Sequence, residues 1–193
     1  REGTTELVVP RGAANGAFTD SPELAIYDCD SGNVTASVPL QEAVAPAWGS
    51  HAFEDIAITP NGKYAYTAFS KWTGGSSTEV FVVDLETQKI HDILRYDIGD
   101  DSVHGIAMRP DGLLVGFTSW NVGKVFWVFT PTNTIVREDA VGSNPNEIAF
   151  ASNGTKAYVT NQASQNVSVI RLPSSHQLLM NMIDSGIMTQ TAS

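Results

Sequence analysis

Cysteine and basic residues are scarce in this chain, and their scarcity excludes several kinds of site and partner. The 193 residues include a single cysteine, Cys29, so neither an internal disulfide nor a metal centre built from several thiolates can form. Eleven lysine and arginine residues stand against 21 aspartate and glutamate residues, which gives a formal net charge of -10. Because phosphate binding needs clustered cationic side chains, this balance argues against a nucleic-acid partner and against anionic lipid head groups. No apolar run approaches the roughly 18 residues of a membrane helix, so we expect no membrane insertion.

Several motifs of common enzymes are also missing. The sequence contains no Gly-x-x-x-x-Gly-Lys-Ser/Thr phosphate loop, no Gly-x-Ser-x-Gly nucleophile elbow, no His-Glu-x-x-His zinc pair and no Cys-x-x-Cys-His haem attachment. The chain begins with Arg1 rather than Met, and we expect a processed form or a part of a longer protein. Three Asn-x-Ser/Thr tripeptides, at Asn33, Asn153 and Asn166, are compatible with export, and we predict a secreted or cell-envelope location.

One pattern of residues occurs three times: a short apolar run, an Asn-Gly or Asp-Gly pair, and a second β-rich run. The copies span residues 55–67, 105–117 and 147–159. Their turn glycines, Gly62, Gly112 and Gly154, recur at intervals of 50 and 42 residues. Periods of roughly 40 to 50 residues are typical of propeller blades and of helical repeats. The Asn-Gly and Asp-Gly pairs favour tight hairpins and the apolar residues lack helical spacing, so the pattern indicates propeller blades.

The remainder of each unit supplies two more strands. A third run rich in Val, Ile and Phe and a fourth, more polar run follow each hairpin. A partial unit lies upstream, where residues 24–28 match residues 80–84 at a constant offset of 56. The sequence therefore predicts an all-β fold, a β-propeller with four-stranded antiparallel blades, of which residues 1–175 hold about three and a half to four. The predicted units are a partial blade at 5–40, blades at about 53–98, 104–141 and 146–175, and a tail at 176–193 that forms an outer strand, a short helix or an extension.

The third copy contains Tyr158-Val159-Thr160-Asn161, the four-residue motif that names the YVTN β-propeller family. Pro145 ahead of the first strand and the apolar run at 166–170 fit the same pattern, whereas the other two copies lack the full motif. The chain thus resembles this family over roughly residues 23–172. The family includes archaeal surface-layer proteins, secreted bacterial repeat proteins, relatives of lactonases and propellers that accompany redox enzymes. The resemblance implies a fold rather than a reaction, because the motif residues are structural.

The chain of 193 residues is shorter than a closed seven-bladed propeller requires. A seven-bladed ring at about 45 residues a blade needs about 300 residues, and an open arc exposes sheet edges. Three explanations stay open: the chain is part of a longer protein, it closes a ring with a second copy or another protein chain, or it is a small propeller. We therefore expect a protein partner or self-association that closes the propeller.

Candidate ligand-binding residues lie just before the first strand of each blade, where propeller blades converge on one mouth of the central channel. Aligned by the hairpin glycines, this position holds Glu54, His104 and Asn146, and His51 lies near the same rim. Histidine and carboxylate groups there can bind a divalent metal ion or act as an acid and base on a small substrate. The alternative is structural, since polar side chains line a water-filled mouth in any case.

An acidic loop at residues 97–101 supplies the candidate metal ligands, Asp100 and Asp101, because carboxylate oxygens suit Ca²⁺. Its spacing does not match an EF-hand, and a solvated acidic turn is the alternative. No other cofactor is predicted.

Together these observations predict a non-catalytic extracellular or cell-envelope propeller that acts as a binding or assembly scaffold. The alternative is a propeller enzyme or enzyme subunit, either a lactonase-like hydrolase or a subunit of a redox complex, with its site at the channel mouth.

Overall fold

The computed structural model describes residues 6–11, 23–40, 51–71, 77–97 and 102–188, which form fourteen strands and one helix in four antiparallel sheets. The first sheet contains β1 (Glu6–Arg11), β2 (Glu23–Asp28) and β3 (Val34–Pro39). The second contains β4 (His51–Ile58), β5 (Tyr64–Lys71), β6 (Ser77–Asp84) and β7 (Lys89–Asp97). The third contains β8 (Val103–Met108), β9 (Leu114–Ser119), β10 (Lys124–Phe129) and β11 (Thr134–Ala140). The fourth contains β12 (Pro145–Phe150), β13 (Lys156–Asn161) and β14 (Asn166–Arg171), and helix α1 (Ser175–Asp184) follows it.

The predicted all-β, antiparallel character is confirmed. The second and third sheets have the four strands expected of each unit, whereas the described residues of the first and fourth sheets form three. In the tail, the alternative of a short helix is correct and that of an outer strand is wrong. The helix forms because the Ser174 hydroxyl accepts a hydrogen bond from the Gln177 amide at its start, and because Leu178 and Met182, one turn apart, are both buried.

The three predicted hairpins have one common structure. In each, the amide of the glycine donates to the carbonyl three residues earlier, at 2.8 Å, and the glycine has a φ between 66° and 76°. The residue before the glycine accepts a backbone hydrogen bond through its side chain, at 3.0 to 3.1 Å, which explains why Asn or Asp stands there. The residues that accept in this way are Asn61, Asp111 and Asn153.

The core lies between the sheets. One cluster of buried side chains joins the first sheet to the second, another joins the second to the third, and the last joins the third to the fourth and to helix α1. In the middle of this stack β10 is apolar on both faces, and its Phe126, Trp127 and Phe129 are buried on opposite sides. Among the described residues, none of these clusters joins the fourth sheet to the first. The described sheets therefore form a stack with two ends.

An ion pair between the buried Arg109 and the partly exposed Asp111 fastens the third sheet to helix α1. Arg109, which is 1% exposed, donates from Nε and Nη2 to the Asp111 carboxylate at 2.7 and 2.6 Å and from Nη1 to the Pro173 carbonyl at 3.1 Å. The Ser175 hydroxyl at the start of the helix donates to the same carboxylate at 2.5 Å. Partial burial on its own would raise the pKa of Asp111, but the hydrogen bonds from Arg109, Ser175 and the Leu113 amide together lower it below its ordinary value of 3.8.

Candidate functional site

The first strands of the last three sheets, β4, β8 and β12, lie side by side and share one irregularity. In each strand two residues are skipped in the register with the next strand, so the backbone bulges at the same step. We call these the inner bulges, and their residues are Glu54 and Asp55, His104 and Gly105, and Asn146 and Glu147. The bulges therefore occupy equivalent steps of neighbouring strands.

The inner bulges contain three of the candidate residues from the sequence. Glu54, His104 and Asn146 each occupy the first position of a bulge, on adjacent strands. His51 begins β4, three residues earlier. The side chains of His51 and Glu54 lie outside the described part of the structure, as do Asp100 and Asp101 altogether. Ligand binding by these residues stays a prediction.

His104 has two neighbours that the sequence analysis missed. Its Nε2 lies 3.1 Å from the Ser102 hydroxyl, and its ring centroid lies 4.2 Å from that of Trp120. The Trp120 amide also donates to the Ser102 carbonyl at 3.0 Å, which holds the strand ends together. The contact with Ser102 could have been predicted, because residues two apart along an extended chain point to the same side. A hydroxyl and an imidazole at this distance can exchange a proton, as in a nucleophile and its base.

A threonine hydroxyl stabilises the bulge of the third sheet and ties it to the fourth. Thr118 is fully buried, and its hydroxyl accepts from the Gly105 amide at 2.9 Å while donating to the Asn146 carbonyl at 2.8 Å. Gly105 is required because a Cβ there would lie 2.4 Å from the same Asn146 carbonyl. Backbones of the third and fourth sheets are thus in direct contact at the bulges.

Contacts of this kind explain the residue types of the motif Tyr158-Val159-Thr160-Asn161. Thr160 occupies the position of Thr118 and accepts from the Glu147 amide at 3.0 Å, and Val159 is fully buried against the third sheet. Asn161 is 2% exposed and donates from Nδ2 to Asn166 Oδ1 and Ser168 Oγ at 2.8 and 2.9 Å. Val159 and Asn161 are therefore buried within the fold, whereas Tyr158 and Thr160 are exposed and Thr160 contributes through its hydrogen bond.

The outer face of the fourth sheet is a second candidate site. Its apolar side chains are between 41% and 56% exposed, and they are Tyr158, Val167 and Val169. In the second sheet the residues in the same register are no more than 2% exposed, because the third sheet covers them; they are Tyr66, Val80 and Val82. The fourth sheet therefore presents a face of the kind that is buried between sheets elsewhere in the stack.

The opposite end of the stack has an exposed apolar face as well. On the first sheet, Leu7 and Val34 are 54% and 43% exposed. Their counterparts in the second sheet, Ala65 and Ile90, belong to the cluster that packs on the first sheet. Five of the seven exposed large apolar side chains among the described residues thus lie on the two end faces. We call these the first face and the last face.

Two tyrosine hydroxyls supply polar contacts between the second and third sheets. Tyr66 donates to Asn133 Oδ1 at 2.9 Å and Tyr96 to the Asn133 carbonyl at 3.0 Å. Burial raises the pKa of Tyr66 to about 12 and raises that of Tyr96 further, so both remain protonated donors. These groups stabilise the contact between the sheets and take no part in the bulges.

Among the described side chains, no three His, Cys, Asp or Glu residues come close enough together to hold a metal ion. No helix in the described ranges is long and apolar enough to cross a membrane.

Comparison with known proteins bears on the fold alone. No protein-family model and no curated protein matches the sequence. Among solved structures, the chain is similar to hydrazine synthase of Kuenenia stuttgartiensis, with a TM-score of 0.71 and 17% sequence identity. The match covers 88% of this chain and 56% of the other, so this chain spans about half the length of the solved chain that it matches. The likeness supports a β-rich, propeller-like fold in general, and the described strands do not form a closed ring.

Proposed function

We propose that this chain is a non-catalytic binding and assembly scaffold, an open propeller-like arc of YVTN-type repeats that acts through its end faces. The last face carries the proposal, since its three apolar side chains occupy positions that are almost fully buried in the second sheet. Exposed apolar patches of this kind mark interaction surfaces. An extracellular or cell-envelope location is part of the proposal, and cell fractionation with surface proteolysis tests it.

The occupant of the last face is the first face of a second copy. The two faces are opposite ends of one stack, and each is the counterpart of a face that packs against its neighbour within the chain. Two arcs of four sheets joined head to tail contain eight sheets, which is within the range of about four to eight blades found in propellers. Such a ring buries both faces of both copies, whereas a contact that did not close would continue into a filament.

The test is the mass in solution. We expect a dimer, of twice 20.7 kDa, by light scattering coupled to size exclusion. Val169→Asp places a charge in the centre of the last face and shifts the protein to the monomer. Met180→Asp is the matched control, because Met180 is 39% exposed on helix α1, away from both faces, and this variant stays dimeric. A wild-type monomer at high concentration, or equal behaviour of the two variants, refutes the second copy as occupant.

One observation favours a second candidate, the propeller hydrolase. Ser102 Oγ lies 3.1 Å from His104 Nε2 beside the inner bulges, as in an acyl-transfer enzyme in which histidine activates a serine. Under this alternative a fluorophosphonate labels Ser102, and His104→Ala abolishes both the labelling and ester or lactone hydrolysis. Under the scaffold proposal the probe leaves Ser102 unlabelled, and His104→Ala leaves the dimer intact.

A further inference from the structure

A cavity of about 450 Å³ lies between β11 and helix α1. Its lining is largely apolar and comes from the third sheet, from the end of β14 and from the helix. Five of these apolar side chains are no more than 7% exposed; they are Leu114, Trp127, Leu172, Leu178 and Met182. Sites that enclose a small molecule have volumes of about 300–1,000 Å³ and are mostly apolar, with a few polar groups that orient the ligand. The cavity therefore has the size and the lining for the apolar part of a small molecule.

The polar side chains of this cavity are hydrogen-bond donors. They belong to Arg137, Arg171 and Asn181, and none of the described residues that line the cavity is acidic. The chain as a whole has 21 acidic residues against 11 basic ones, so a cavity with two arginines and no carboxylate differs from its general character. Guanidinium groups bind carboxylates through two parallel hydrogen bonds. The lining thus favours a ligand with a negatively charged group.

The Arg137 side chain is held beside the cavity by two hydrogen bonds. Its Nη1 donates to the Arg171 carbonyl at 3.0 Å, and its Nη2 donates to Asp139 Oδ1 at 2.7 Å. The other oxygen of this carboxylate accepts from the indole Nε1 of Trp127 at 2.7 Å, so both oxygens of Asp139 are engaged. A guanidinium has five donors, and two of those of Arg137 are used in this way. The side chain is therefore fixed in place with donors left for a ligand.

Arg171 and Asn181 supply further donors. The structure describes the side chains of four arginines, and three of them pair with a carboxylate, whereas Arg171 does not. Asn181 Oδ1 accepts from Gln177 Nε2 at 2.8 Å, which leaves the amide nitrogen of Asn181 as the group that a ligand can use. A carboxylate only accepts hydrogen bonds, so it matches a set of groups that only donate.

From these observations we infer that the cavity beside helix α1 binds a small amphiphilic carboxylate, of the class of medium-chain fatty acids. The carboxylate of the ligand pairs with Arg137 and Arg171, and its hydrocarbon part packs against Trp127 and the apolar side chains of the helix. Burial of the hydrocarbon supplies most of the affinity, while the paired guanidinium groups select the charge. The inference does not depend on the proposed scaffold function, because no residue of the first or last face lines the cavity.

Decanoate is the probe, added to the intact protein below its micellar concentration and followed by calorimetry. We expect saturable binding at one site per chain. Decylammonium, with the same hydrocarbon and the opposite charge, and acetate, which lacks the hydrocarbon, do not bind. In nuclear magnetic resonance spectra decanoate shifts the indole N–H signal of Trp127, which lines the cavity, and leaves that of Trp120 beside His104 unchanged. Absence of saturable binding, or equal binding of decylammonium, overturns the inference. Binding to phosphatidylglycerol vesicles without binding of free decanoate overturns it as well, since the ligand would then be a lipid surface.

Variants of the protein locate the site. Arg171→Gln removes a charge that has no ion-pair partner, so the fold is kept, and it weakens decanoate binding about tenfold or more. The same variant leaves the binding of decanol unchanged, because decanol has the hydrocarbon without the charge. Lys89→Gln is the matched control, since it makes the same change of charge at an exposed position on β7, and it leaves both affinities unchanged. Equal weakening by the two variants would show an effect of net charge alone and contradicts the site.

A second variant tests the apolar part of the cavity. Val136 is half-buried and lines the cavity, so Val136→Phe places a ring in the space that the hydrocarbon occupies. We expect this variant to weaken decanoate and decanol alike, about tenfold or more, while circular dichroism shows that it is folded. Unchanged affinity of the folded variant for both ligands contradicts binding in this cavity.

Discussion

The hydroxyl of Thr118 offers a direct measure of what holds neighbouring sheets together. Thr118→Val keeps the shape of the side chain but removes the acceptor of the Gly105 amide and the donor to the Asn146 carbonyl. Each buried polar group left without a partner costs about 1–3 kcal/mol. Asn146 is half-buried and water reaches part of it, so we expect a total loss of about 2–4 kcal/mol in the free energy of unfolding.

Thr160→Val is the matched control, because Thr160 has the same place in the fourth sheet but is exposed. Water replaces its hydrogen bond, and we expect a loss below about 1 kcal/mol. Urea unfolding followed by circular dichroism gives both values. With a slope of about 2 kcal/mol per molar urea, the midpoint falls by about 1 M or more for Thr118→Val and by less than half of that for the control. Equal losses, or a neutral Thr118→Val, would show that buried hydrogen bonds at the bulge do not hold the sheets.

Three further predictions concern stability. Folding lowers the pKa of Asp111, so the ionised carboxylate stabilises the fold fully above the ordinary value of 3.8, and this stabilisation is lost as the pH falls through the lower pKa of the folded state. In acid titrations we expect Asp111→Asn to have a lower free energy of unfolding at neutral pH and a weaker decrease of that free energy in acid. Gly154→Ala costs more than Gly62→Ala by about 1 kcal/mol in thermal melts, since both have positive φ but only a Cβ at Gly154 meets the buried arginine, at 3.0 Å. Leu178→Ala lowers the free energy of unfolding by about 2–4 kcal/mol in urea, whereas Met180→Ala changes it by less than about 1 kcal/mol, because the first side chain is buried and the second is exposed.

The repeating hairpins were predictable because their determinants are local. An Asn-Gly or Asp-Gly pair fixes the turn through a positive φ and a side-chain hydrogen bond, and both residues are adjacent in the sequence. Alternating apolar residues then fix which side of each strand is buried, as at Val159. Aligning Glu54, His104 and Asn146 by the turn glycines placed them at equivalent positions for the same reason. Their predicted place just before the first strands was wrong, because all three lie within the inner strands β4, β8 and β12.

Contacts between sheets were not predictable from such local patterns. An arginine in a turn is usually a surface residue, yet Arg109 is buried because it is paired with Asp111 and with the carbonyl of Pro173, just before helix α1. The bulge that carries His104 depends on a threonine 14 residues later in the chain. The last face is no different in composition from the buried faces of the other sheets. Only the stacking order reveals that nothing in the described residues covers it.

The division of the core into three separate clusters has a consequence for how the molecule opens. In the described part of the chain each cluster joins only neighbouring sheets, so unfolding behaves approximately as a one-dimensional chain of units and interfaces. An end sheet has one interface to lose and a central sheet has two. Amide hydrogens in β9 and β10 should therefore exchange through global unfolding, and those in the first sheet through local fraying. A partner bound at either end would slow exchange most in the sheet that it covers, so protection from exchange along the chain would record which end is occupied.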